Sequence, residues 1–226
     1  MTLSQEDPPP LPPLSVSVEA LAAIREDHIE LLREGIVGRP DGVHAEDHLV
    51  IAALRRSLDN ILGFLAMVDQ RNVFCGVPII RFQLDTAMSL YARNLVKDVL
   101  AYASHITEGK ERRGYCDRTG RLLTDSYLHR ELTKKYESVT EIYGDASGYI
   151  HFSRQHMLRV LDLEESQRQE NAVFRDIDEL TAGWSEEEVR NALVEFLWAT
   201  HAILVECTEW KIERRRGAGR RGHSEL

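Results

Sequence analysis

The chain has 226 residues, 43% of them hydrophobic and 29% charged, which suits one domain with a sizeable core. A formal charge of −9 excludes coating nucleic acid by bulk electrostatics, although a local basic patch remains compatible with it. No apolar run reaches the length of a membrane helix, so no membrane partner is expected.

The opening MTLSQEDPPP lacks the basic start and apolar core of a secretory signal. Cys75, Cys116 and Cys207 are scattered without a CxxC, which predicts free thiols and a cytoplasmic location. Prolines at 8, 9, 10, 12 and 13 predict a disordered proline-rich arm over residues 1–16.

Residues 17–215 read as a single helical domain. Leu21, Ile24, His28, Leu31 and Leu32 recur at helical spacing, with Ser17 as the expected cap and an end near Gly35. After the turn-rich GRPDG at 38–42, a second helix is predicted over Ala45 to Val68. Its expected inner positions are Leu49, Ala52, Ala53, Leu58, Ile61, Leu62 and Leu65. A third, over Pro78 to Ile106, is apolar around much of its circumference and is expected to be long and central.

The charged, glycine-rich stretch 107–124 predicts an exposed loop. Asp125 is the expected N-cap of a fourth helix to Tyr143, and a fifth is predicted from Asp145 to Leu161. Residues 162–184 read as a solvated linker. Ser185 and Glu188 then form a capping box for a last helix to about Arg215. The class is all-α, a bundle of about five to six helices.

Two constellations can carry chemistry. Arg81 and Asp85 stand four apart on the central helix. They are either an internal pair that fixes register or a guanidinium held by its carboxylate and aimed at an anion. Ser147, His151 and Arg154 form one stripe on the predicted fifth helix. They can donate to a phosphate, with His151 able to move a proton near neutral pH. The other reading of His151 is a buried ring satisfied by a hydroxyl or a carbonyl.

Arg81 with Asp85, then Tyr143 followed by S-x-x-x-H-x-S at Ser147, His151 and Ser153, resembles the HEPN-like group of bacterial helical domains. The resemblance covers roughly Ala45 to Arg159. It implies a helical bundle, often a homodimer, in toxin–antitoxin or phage-defence settings. It also implies a metal-independent RNase that uses arginine and histidine in an R-x(4–6)-H motif. No arginine holds that spacing before His151, so Arg81 or Arg154 has to take the arginine's role. Arg39-x4-His44 matches literally but lies in the proline–glycine turn.

His44 and His48, at helical i, i+4 spacing, can clamp a divalent metal only with a third ligand from elsewhere, and none stands at fixed spacing. Neither a metal nor a cofactor is expected. There is no P-loop, GxGxxG, HExxH or GxSxG.

Charge is unevenly spread. From Lys211 onward six basic residues face two acids, a net +4, which leaves the rest of the chain at −13. Arg214, Arg215, Arg216, Arg220 and Arg221 are candidates for nucleic-acid contact, with 216–226 expected to be a basic flexible tail. The alternative is a solubilising end that complements the helix dipole. Two functions follow: binding or metal-independent cleavage of RNA, or an inert bundle that works through a protein partner.

Overall fold

The computed structural model describes residues 14–36, 45–137, 139–150, 153–170 and 172–221. Among these it forms ten α-helices and no β-strand, so the all-α class holds with more and shorter helices than expected. Four long helices make the core: α1 (Leu14–Ile36), α2 (Ala45–Asp69), α3 (Val73–Tyr91) and α10 (Glu186–Arg221). The short α5 (Asp125–Thr133) and α6 (Val139–Ser147) pack on another side of α3.

The central position expected for the third helix follows from its composition. Ile80, Leu84, Ala87, Met88 and Leu90 are all fully buried, because α3 touches α2, α10, α5 and α6. Phe64 of α2 stacks on Phe196 of α10 at 4.2 Å between ring centroids. On α2 the buried stripe is Val50, Ala53, Leu54, Ser57, Leu58, Ile61 and Phe64. Ala52 and Leu62, expected inside, are exposed. Apolar residues surround much of this helix, so its neighbours, not its periodicity, select the inner face.

The long helix expected from Pro78 to Ile106 is broken. It ends at Tyr91, passes through a 3-10 turn at Ala92–Asn94, and restarts as α4 (Val99–Thr107). Arg118 folds back from the following loop to donate to the carbonyls of Asn94 and Leu95, and Asp98 caps α4 by accepting from Ala101 N at 3.0 Å. Those bonds satisfy the backbone groups that a break exposes.

The fourth predicted helix is likewise split into α5 and α6. Its cap is Thr124, which accepts from Tyr127 N, while Asp125 is the first helical residue. The fifth is shorter than predicted: α6 ends at Ser147 and α7 is Arg154–Val160. The expected linker contains α8 (Leu163–Gln169) and α9 (Ile177–Thr181), capped by Asp162 and Asp176. Ser17 lies buried inside α1 and does not start it.

The Ser185–Glu188 box is formed in both directions. The helix it starts runs on to Arg221, past the expected end at Arg215. The proline arm and the GRPDG turn lie outside the described residues.

A polar knot crosses the core. His28 (α1), Ser57 (α2), Gln83 (α3) and Thr200 (α10) are all fully buried or nearly so. Ser57 Oγ lies 2.8 Å from His28 Nε2, and Gln83 Nε2 donates to Ser57 Oγ at 2.6 Å and Thr200 Oγ1 at 3.0 Å. A serine beside a histidine suggests a nucleophile and its base. Full burial keeps substrate from this pair, and its bonds instead tie four helices together.

Candidate functional site

Arg81, Asp85 and Ser89 recur every fourth residue and so line one side of α3. That side faces an open cleft of about 810 Å³, walled by α3, the loop after α4, α5 and α6. Its lining includes Asp85, Ser89, Lys110, Arg112, Asp125 and Tyr143.

The charges along this wall alternate. Arg56 of α2 donates to Asp85 Oδ2 at 2.8 Å, and Arg112 donates to Asp85 Oδ1 at 3.0 Å. The same Arg112 group reaches Asp125 Oδ1, and its other terminal nitrogen bonds Ser89 Oγ. Arg81 donates to Asp125 Oδ2 at 3.2 Å and to the Tyr143 hydroxyl at 3.3 Å. Its guanidinium carbon also lies 4.5 Å from the centroid of the Tyr143 ring. Three arginines thus meet two aspartates, a net +1.

Burial gives these contacts weight. The Arg81 and Arg112 side chains are 9% and 12% exposed, whereas Asp125 is 50% exposed toward the cleft. Burial alone would push the Asp85 carboxyl up, but Arg112, Arg56 and Arg81 together hold it below its ordinary range. Beneath them, burial pushes the Tyr102 hydroxyl up to about 12, so it is a neutral donor to Ser89 O.

The expected Arg81–Asp85 pair is therefore replaced by a ladder in which Arg81 takes Asp125 and Asp85 takes Arg56 and Arg112. Arg81 and Tyr143 do meet. Ser147 does not join them; its hydroxyl donates to Tyr143 O at 2.6 Å, a local helical bond. The predicted stripe is broken between α6 and α7. Ser153 caps α7, its backbone N donating to His156 Nδ1 and its hydroxyl to Gly148 O. Arg154 is exposed on the first turn of α7. His151 lies outside the described residues, as do His44 and the side chains of Arg214, Arg215, Arg216, Arg220 and Arg221.

Two participants escape sequence reading. Arg112 sits in a stretch whose charge predicts only solvent exposure. His129 of α5 stacks on Tyr143 with ring centroids 4.2 Å apart. Its spacing from Arg81, 48 residues back, gives no signal.

Among the described residues no group of three His, Cys, Asp or Glu side chains is placed to hold a metal ion, and none of their helices is long and apolar enough to cross a membrane. Comparison with family models, curated proteins and solved structures finds no match for the chain.

Proposed function

We propose that the chain is a HEPN-like helical protein that binds RNA through this cleft. The supporting observation is the excess of guanidinium over carboxylate in a half-buried wall, where Asp125 occupies a position that a phosphate can contest. Lys110 and Arg113 also stand on the rim, where they pair with Glu108 and Glu111.

Asp125→Asn tests the reading, because it removes one negative charge and keeps an oxygen acceptor for one of the two arginines, freeing the other for phosphate. Affinity for a single-stranded RNA should rise severalfold, and the slope of log K against log salt should steepen by about 0.7. Unchanged affinity and slope in a folded variant would remove the cleft from RNA binding.

The cleaving form of this function rests on His151, with Arg81 or Arg154. Labelled RNA incubated with chelator should be cut by the parent chain and spared by His151→Ala. No cleavage by the parent chain would reduce the function to binding. The inert-bundle alternative draws support from the saturation of Arg81 by Asp125 and Tyr143, and from exposed apolar side chains such as Phe174 and Ile177.

A further inference from the structure

A second cluster of arginines lies away from the ladder, where the end of α2 meets α7 and α9. A cleft of about 330 Å³ is lined there by Arg71, Arg159 and Arg175, with Phe74, Val160 and Leu180 as apolar wall. Glu179 is the one acid in that lining.

The arginines are anchored in unequal ways. Arg71 Nη1 donates to Trp184 O at 2.9 Å, while Trp184 N donates back to Arg71 O at 2.9 Å. Arg175 Nε donates to Leu161 O at 3.2 Å. Backbone carbonyls orient these two guanidiniums without neutralising them, and among the described residues no carboxylate pairs with either. Arg159 differs, since it pairs with Glu188 and lies 5.8 Å from the Phe74 ring centroid.

The backbone around Arg71 is built for this arrangement. Arg71 has φ +49°, in the left-handed region that side chains other than glycine rarely adopt. A Cβ on Gly183 would stand 2.5 Å from Arg71 Cβ and 2.8 Å from Arg71 O, so only glycine permits this approach.

We infer that Arg71, Arg159 and Arg175 form a phosphate-binding site separate from the ladder cleft. Three guanidiniums against Glu179 and the Glu188 that pairs with Arg159 leave a net +1, with Arg71 and Arg175 free of carboxylate partners among the described residues, which suits an anionic phosphate. A volume near 330 Å³ exceeds what one phosphate fills and lies at the small end of ligand pockets. The remaining space faces Phe74, Val160 and Leu180, so the phosphate carries an organic part that is at least partly apolar. Its source is either a free phosphorylated molecule or the backbone of a bound RNA.

Calorimetric titration of the full chain with inorganic pyrophosphate, adenosine monophosphate and an oligouridylate tests the site. Pyrophosphate should bind the parent chain, and Arg175→Ala should weaken it about tenfold or more without a shift in Tm. Arg71→Ala should do the same; because Arg71 also clamps Trp184, Arg71→Lys serves if the alanine variant fails to fold. Monophosphate binding that depends on Arg175 and is indifferent to oligouridylate identifies a free ligand. Displacement by oligouridylate, with the same Arg175 dependence, identifies RNA.

The proposal is overturned if pyrophosphate does not bind at millimolar concentration. It is equally overturned if binding survives Arg175→Ala and Arg71→Lys but is lost on Lys110→Ala with Arg113→Ala, which places the anion in the other cleft.

Discussion

Arg112→Ala should destabilise the fold by about 3 kcal/mol, the lower end of what breaking a buried ion pair costs. The guanidinium joins Asp85, Asp125 and Ser89, and it is 12% exposed. Its removal leaves Asp85 hydrogen-bonded to Arg56 alone, with Arg81 acting only at a distance, and Arg56 is 46% exposed and well solvated. Asp125 keeps Arg81, so the two carboxylates remain in one wall with the cation between them gone. Water reaches Asp125, which is why the lower end of the range applies.

Urea unfolding measures this loss, and a decrease below about 1 kcal/mol would show the ladder to be surface decoration. Asp85→Ala in the same background should cost less than it does in the parent chain, because the two residues share one interaction.

The acid side carries its own signature. A carboxyl held below its unfolded value contributes stability that is fully present above that value, near pH 4, and lost as pH falls through the folded value. Without Arg112 the Asp85 shift is smaller, so less stability remains to be lost. The difference between parent and variant should therefore narrow below about pH 4.

Local signals were readable and distant partnerships were not. The capping box at Ser185 and Glu188 formed as spelled, because both partners lie within one turn. The central place of α3 was also legible, since a helix apolar on many sides has nowhere else to go. Its break at Tyr91 was not. The bonds that stabilise it come from Arg118, 23 residues beyond Leu95, and no periodicity encodes that return.

The ladder behaves in the same way. Arg81 and Asp85 stood out because helical spacing pairs them, yet each finds its better partner elsewhere, in Asp125 and in Arg56 with Arg112. Spacing of i, i+4 establishes that two side chains share a face; it does not choose between them and a third group brought by tertiary packing. Glu206 shows the extreme case. Fully buried on α10, it accepts from Asn94, Lys135 and Tyr136, the nearest of them 70 residues away in sequence. The stripe through Ser147 and Arg154 failed for a local reason: the Ser153 cap starts a new helix where a continuous one was read.

Replacing His28 should produce the other large effect, about 2–4 kcal/mol for His28→Ala, from lost core packing and an unpaired Ser57 hydroxyl. Its ring lies 2.8 Å from Ile24 O through Nδ1, and a carbonyl can only accept, so Nδ1 carries the proton. Neutral Nε2 must then accept from Ser57, whose oxygen takes the Gln83 amide. Protonating Nε2 would leave Ser57 facing two N–H groups with its own proton displaced.

Burial accordingly lowers the pKa of His28, against smaller upward effects of the Ile24 carbonyl and Asp27. For a base with a lowered folded value, stability is complete above the unfolded value of 6.5 and is lost as pH falls below it. The unfolded chain takes up a proton there and the folded chain does not. The loss is at most about 1.4 kcal/mol per pH unit for one group. His28→Gln removes this titration, so the stability difference between parent and variant should shrink from pH 7 toward pH 5. A difference that stays constant over that interval would mean that His28 takes up its proton alike in the folded and unfolded chain, and one that grows toward pH 5 that it already carries a proton in the fold; either result contradicts the tautomer its neighbours impose.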